Sequence, residues 1–257
     1  MKIPTQINSS NNTSKSTTIT SANEVLERVK ACDWEQISQD LNAHGNVIMG
    51  SIISSADCDA LSNLYPEEQI FRSTVIMEKH GFGSGEYKYF RYPLPNIIDV
   101  LRTTIYPYLV PVANRWNEAM GIDVRYPEKH PDFLARCHEA GQLKPTALLL
   151  QYGKDDYNCL HQDVYGQHIF PLQVTILLSN PERDFTGGEF VLTEQRPRMQ
   201  SRPEVVPLRQ GEAVIFAVHN RPVYGTLAVY RVNLRHGVSR VRSGRRYTLG
   251  IIFHDAK

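Results

Sequence analysis

Beyond Gly141 the sequence stops reading as helix and breaks into short β-rich runs, and that change restricts the available folds more than any other feature. Segments 146–152, 172–179, 189–193, 213–218, 226–233 and 246–253 are rich in Val, Ile, Leu, Phe and Tyr, with Gly, Pro, Asn and Asp between them. Before Gly141 the apolar residues recur at helical spacing. Val25, Leu26, Val29, Trp34, Ile37 and Leu41 predict one helix, capped by Ser21 and ending at His44-Gly45. Ser54 or Ser55 caps a second helix, through Leu61 and Leu64, that Pro66 stops. A third run from Ile98 to Met120 contains Pro107 and Pro111, which predict a break or kink, and a fourth helix fits Pro131 to Ala140. Helices followed by many short strands predict an α+β chain with a mainly β core, an antiparallel double-sheet jelly roll with helical support.

Residues 1–20 are Ser-, Thr- and Asn-rich and read as a disordered tail, because they offer little apolar surface to offset ordering entropy. No linker-like stretch follows. Residues 21–257 therefore read as one domain, with helical support over 21–145 and a jelly-roll core over 146–257. No apolar run approaches the ~20 residues that span a bilayer, so no membrane partner is expected. The chain opens on no basic-then-apolar leader, and Cys32, Cys58, Cys137 and Cys159 are scattered without a C-x-x-C pair. These features predict a cytoplasmic location and exclude a disulfide framework or zinc knuckle. Net charge is +1, yet residues 180–257 hold 13 Lys and Arg against 7 acids, a bias that suits anionic substrates or nucleic acid.

The chemistry-bearing run is Leu160-His161-Gln162-Asp163, directly after a β-rich segment. On extended chain His161 and Asp163 fall on one face and can grip one ion. His236, at the end of the run TLAVYRVNLRHG, offers a third ligand. Two imidazoles and a carboxylate on one side of an ion leave the opposite positions open, the arrangement of non-haem Fe(II) oxygen chemistry. Ten residues after His236 comes Arg246 in the run GRRYTL, a planar fork suited to a carboxylate.

The pattern H-x-D, a distant His, then Arg resembles the Fe(II)/2-oxoglutarate-dependent dioxygenases, and the ten-residue His-to-Arg interval resembles their prolyl-hydroxylase-like branch. Gly187-Gly188-Glu189-Phe190 and the run Gly211 to Phe216 are similar to turns and strands of such proteins. The stretch YRVNLRHGVSRVRSGRRYTLGIIFHDA resembles a bacterial subfamily of nucleic-acid oxygenases. The resemblance covers residues 24–257. It implies a double-stranded β-helix of cupin-like type, with His161, Asp163 and His236 as the catalytic metal ligands for Fe(II). Arg246 would hold the distal carboxylate of 2-oxoglutarate, with Arg245 as its competitor. Tyr152, nine residues before His161, matches a tyrosine beside the cosubstrate. A tyrosine that some prolyl hydroxylases carry after H-x-D is replaced here, at Leu177, and Thr248 or Gln173 would supply that contact. Dioxygen is the other cosubstrate. The implied reaction couples decarboxylation of 2-oxoglutarate to succinate with hydroxylation or oxidative demethylation of a substrate.

The substrate stays open between damaged nucleic acid and a protein side chain, and a non-catalytic cupin-like metal-binding module is the alternative from another class. Residues 72–95, with Gly81, Gly83 and Gly85 among Phe82, Tyr87, Tyr89, Phe90 and Tyr92, read either as a substrate lid or as a hairpin packed on the core. His254 and Asp255 are adjacent, so they point to opposite faces and read as structural. Cys159 reads as a small hydrophobe, and His168 and His219 remain without a role.

Overall fold

A computed structural model describes residues 22–226 and 228–257; the expected tail and Ser21 lie outside the described residues. Among the described residues there are five α-helices: α1 (Ala22–Lys30), α2 (Trp34–His44), α3 (Ser55–Ser62), α4 (Asn96–Ala119) and α5 (His130–Glu139). The strands of the first half are β1 (Asn46–Ser51), β2 (Phe71–Ile76), β3 (Gly83–Ser84) and β4 (Glu86–Phe90). Then follow β5 (Leu148–Tyr152), β6 (Tyr157–His161), β7 (Leu172–Leu177), β8 (Phe185–Gly187), β9 (Phe190–Gln195) and β10 (Arg202–Val206). The last are β11 (Glu212–Ala217), β12 (Asn220–Tyr224), β13 (Val229–Val238), β14 (Val241–Gly244) and β15 (Arg246–Ile251).

Two antiparallel sheets carry the fold. The larger runs β1-β11-β7-β15-β5-β4-β2, and the smaller runs β10-β9-β13-β6-β3 with β12 also on β13. This is the jelly roll that the sequence predicts. Helices α1, α2 and α4 share one buried cluster with the back of the large sheet, where Leu101, Ile105, Leu109 and Trp116 meet Leu149, Val174, Ile176, Leu249 and Ile251. Alternation sends the neighbouring residues of those strands, such as Leu150, Thr175, Thr248 and Gly250, to the opposite face, toward the space between the sheets.

Several elements differ from the sequence expectation. The first predicted helix is two, because the chain turns at residues 31–33 and restarts where the Asp33 side chain accepts from the Gln36 amide. Ser54 caps α3 as expected, in a reciprocal pair with Asp57. Helix α4 runs unbroken through Pro107 and Pro111. The two prolines lie four apart on the side away from the core, so the carbonyls they leave unpaired lean toward solvent, while the packed face holds the helix together. The region expected to supply helical support also supplies strands: β1, β2 and β4 extend the large sheet at both edges. Residues 72–95 contain most of the β2–β4 hairpin, with β3 between its strands paired to β6 of the smaller sheet. Phe90 joins the core, while Tyr87 and Tyr89 face the space between the sheets.

Buried ion pairs fix the helices to the sheets. Arg102 of α4 donates to Asp255 Oδ1 at 2.7 Å and to the Ile252 carbonyl, and both side chains are almost fully buried. Tyr92 and His138 donate to the other Asp255 oxygen, at 2.9 Å each, so His254-Asp255 is structural as expected. Arg221 of β12 pairs with Glu194 of β9 and donates to the carbonyls of Asn42 and Ala43, tying the end of α2 to the small sheet.

Arg102→Met leaves the Asp255 carboxylate buried without its cation, and a loss of about 3–5 kcal/mol is expected in urea denaturation. Acid should act through two buried imidazoles. Burial, aided by Arg102, lowers His130 to about 3 and His254 to about 4. Both are neutral when folded and protonate on unfolding near pH 6.5, so their contribution is intact above that pH and withdrawn as pH falls through 6 to 4. Each costs roughly 1.4 kcal/mol per pH unit in that window. Denaturation midpoints for the His130→Phe protein should fall less steeply there than for the parent.

Candidate metal centre and its cavity

The strand pairing brings the two predicted histidines together. In the antiparallel β6–β13 ladder His161 stands directly opposite His236, and their ring centroids are 4.2 Å apart. Gly237, next in sequence, permits this approach: a Cβ there would lie 2.6 Å from the Asn158 carbonyl oxygen. Strand β6 ends at His161, so Asp163 sits beyond the ladder rather than on a continuing strand. The turn that follows still returns its carboxylate to both rings. Asp163 Oδ1 is 3.5 Å from His161 Nε2, and Oδ2 is 3.3 Å from His236 Nε2. One ligand atom from each of the three residues lies within 4.8 Å of the others.

The surroundings set which atoms are free. His161 donates from Nδ1 to the Cys159 carbonyl at 2.8 Å, which leaves its Nε2 lone pair facing Asp163. His236 packs on the Phe216 ring at 4.7 Å and on Phe190 at 6.0 Å, and its Nδ1 is buried without a partner. Burial alone would raise the Asp163 carboxyl, but the His161 and His236 imidazoles beside it hold it well below the usual carboxylate range. Burial alone would lower His161, and the same carboxylate reverses that. Burial lowers His236, with His161 adding to the effect. A charged acceptor between two imidazole nitrogens is a ready donor set for a divalent cation.

The three residues line one wall of an open cavity between the sheets, with about 860 Å³ of empty space. Strand β15 lies across its floor. Arg246 stands opposite Tyr152 of β5, and Thr248 opposite Leu150 on one side and Leu177 on the other. Arg246 is 1% exposed; Nη1 donates to Thr248 Oγ1 at 2.5 Å, Nε is without a partner, and among the described residues it makes no ion pair. Burial lowers it to about 10, still charged at neutral pH. The adjacent Arg245 is exposed, and of the two arginines Arg246 is the one that lines the cavity. Tyr152 is fully buried under the guanidinium, 5.5 Å from ring centroid to Cζ, and its hydroxyl accepts from Asn158 at 3.3 Å. Leu177 occupies the aliphatic position expected beside Thr248. Gln173 also lines the cavity, and its Oε1 is buried without a partner.

Sequence reasoning singled out Phe82, Tyr87 and Tyr89 as a candidate lid but missed a further aromatic of the cavity, Tyr165. Phe82, Tyr87, Tyr89 and Tyr165 line the cavity together, and the Tyr165 hydroxyl donates to Asp163 Oδ1 at 2.7 Å. The alternation of Tyr87 and Tyr89 was a signal for one strand face. Nothing in the local sequence marked Tyr165. Cys159, expected to be a buried small hydrophobe, is instead exposed, because β6 lies near the open side of the smaller sheet.

Residues 85–256 match the model of the Oxygenase-NA family, described as an oxygenase catalysing oxidative methylation of damaged DNA. This chain belongs to that family. It is an oxygenase. Uncharacterized proteins of two Mycobacterium tuberculosis strains, CDC 1551 / Oshkosh and H37Rv, are 49% identical over 164 residues, 64% of this chain and 70% of each relative. Among solved structures, a prolyl 4-hydroxylase from Phytophthora capsici aligns over 94% of this chain and 68% of its own, with a TM-score of 0.51 and 14% identity. An oxidoreductase of the 2OG-Fe(II) oxygenase family from Burkholderia pseudomallei aligns over 87% and 92%, with a TM-score of 0.49 and 16% identity. The first likeness concerns the fold, and it is the fold expected from the sequence. Among the described residues no helix is long and apolar enough to cross a membrane.

Gly237→Ala places a methyl group against the backbone of the neighbouring strand and must part β6 from β13. A loss of about 1–3 kcal/mol is expected by urea denaturation.

Proposed function

We propose that this oxygenase uses Fe(II) and 2-oxoglutarate to hydroxylate or oxidatively demethylate damaged nucleic acid. The observation that carries the reading is the joint presence, in one cavity, of the His161-Asp163-His236 donor set and the buried Arg246, which among the described residues makes no ion pair. A buried, unpaired guanidinium costs several kcal/mol, and an incoming carboxylate removes that cost. The donor set fits the metal on chemical grounds: two neutral imidazole nitrogens and one carboxylate suit Fe(II), which His161, Asp163 and His236 would hold.

The bound metal, 2-oxoglutarate and dioxygen together supply decarboxylation of the cosubstrate to succinate and carbon dioxide, coupled to placing one oxygen atom on a substrate carbon. The protein's own part is orientation. Hydrogen bonding to the Cys159 carbonyl fixes the His161 tautomer, and the packing of Phe216 and Phe190 fixes the His236 ring. Arg246 and Thr248 take the distal carboxylate of 2-oxoglutarate, in the place where Leu177 offers no hydrogen bond. Tyr152 supports the guanidinium from below and keeps water away from it. The aromatic side chains of the cavity offer flat surfaces for stacking a base.

Insertion of oxygen acts on a carbon already present. An N-methyl group becomes N-hydroxymethyl, which loses formaldehyde as the nitrogen regains its proton; this sense removes a methyl rather than adding one. The family description supports nucleic acid as the substrate class. Residues 21–257 act in this reading as one catalytic unit, in the cytoplasm, with Cys32, Cys58, Cys137 and Cys159 as free thiols.

The test is turnover with methylated single-stranded oligonucleotides, methylated duplexes and proline-containing peptides, with succinate and formaldehyde measured in each. Fe(II)-dependent succinate formation with formaldehyde release from oligonucleotide is expected. Hydroxylated peptide in its place would move the substrate class to protein, and absence of both products together with absence of Fe(II) binding would leave the metal-binding-module reading. His236→Ala should abolish metal binding. Arg246→Ala should raise the KM for 2-oxoglutarate by about 10–100-fold, the loss of a charge-assisted pair, while Fe(II) still binds.

A further inference from the structure

The structure assigns Tyr165 as a positioning residue that sets how Asp163 meets the metal, with Gln142 holding the loop that carries it. The inference rests on the metal reading above and adds two residues that lie outside the donor set.

The carboxylate of Asp163 has two oxygens in different situations. Oδ2 faces His236 Nε2 alone. Oδ1 faces His161 Nε2 and also accepts the Tyr165 hydroxyl at 2.7 Å. An ionised carboxylate only accepts, so the tyrosine is the donor. Donation to one oxygen occupies a lone pair, resists rotation of the carboxylate about its last bond, and leaves Oδ2 the more available oxygen for a cation. The tyrosine ring is itself fixed, packed with Tyr89, Leu148 and Ile252.

The backbone beneath Tyr165 is held by a side chain distant in sequence. Gln142, between α5 and β5, is fully buried. Its Oε1 accepts from the amides of Gln167 and His168 at 2.8 and 2.7 Å, and its Nε2 donates to the His168 and Asp255 carbonyls at 3.1 and 2.5 Å, with the Tyr165 carbonyl at 3.4 Å. Gly166, at φ +89°, lets the loop close over this amide, since a Cβ there would lie 2.5 Å from Gln142 Cδ. A glutamine whose amide is shared between the 165–168 loop and the Asp255 carbonyl, beside a tyrosine whose hydroxyl is spent on a ligand carboxylate, forms a continuous path from Asp255 to the donor set.

The experiment titrates the full chain with Co(II), an air-stable probe with its own absorption bands, and reads affinity and spectrum for the parent, Tyr165→Phe and the Gly166→Ala and Tyr165→Phe/Gly166→Ala proteins. Tyr165→Phe keeps the packed ring and should keep the parent's melting temperature within a few degrees. Its Co(II) affinity should fall about 10–100-fold, the range for losing an orienting partner of a metal ligand, with shifted absorption bands. Gly166→Ala should weaken Co(II) binding alone and add nothing on the Tyr165→Phe background, because both act through one hydroxyl. Parent-like affinity and bands for Tyr165→Phe would overturn the role of the hydroxyl, and additive losses in the double variant would overturn the role of the loop. A parent protein that binds no Co(II) would instead refute the metal reading itself.

Discussion

The pairing of β6 with β13 is the constraint on which the site depends. It sets His161 opposite His236 on adjacent strands, so the spacing of the two imidazoles follows from sheet geometry and needs no flexible loop to bring them together. Sheet register is discrete: a slip of one residue would send one ring to the outer face. The pairing is itself secured on both sides, because β13 is also paired with β9 and β12. The donor set thus sits on a rigid part of the molecule, and only Asp163 depends on a turn.

Electrostatics divide the molecule into satisfied and unsatisfied buried charges. Arg102 with Asp255 and Arg221 with Glu194 are paired, hydrogen-bonded to carbonyls as well, and do not line the cavity. Arg246 and the Asp163 cluster are the contrast. A guanidinium held with one hydroxyl as its hydrogen-bond partner, and a carboxylate shared by two imidazoles, are poor arrangements for stability alone. Local arrangements that stability alone does not favour are expected where a protein binds ligands, and the fold tolerates them because the helix-backed face of the large sheet is broad and continuous.

Much of the fold was legible because the sheet faces differ chemically. The helix-backed face takes Leu149, Ile176, Leu249 and Ile251; in β15 these alternate with Thr248 and Gly250, while β5 reads as a short apolar run of three leucines, and both patterns mark strands. Strands β1, β6, β8, β10, β12 and β14 escaped notice because they are short, at an edge, or broken by Pro and Gly, and their residues alternate weakly. The prolines of α4 misled for the opposite reason: local chemistry disfavours helix there, and packing of the other face outweighs it. Cys159 was misjudged because a residue type says little about which side of a thin sheet it will occupy.

The sequence by itself determined the inventory and order of chemistry: His161 and Asp163 two apart, His236 distant, Arg246 ten residues on, and a β-rich half able to close into two sheets. Those are statements about residue type and periodicity, and both are local. Tertiary structure alone decided that Arg246 and not Arg245 enters the cavity, that Asp163 lies past the end of its strand, and that Tyr87, Tyr89 and Tyr165 line the cavity together. It also decided that Gln142 holds the loop beside the donor set. Contacts of that kind join residues far apart in the chain, and their energies depend on burial and on the atoms opposite, which no local pattern of side chains encodes.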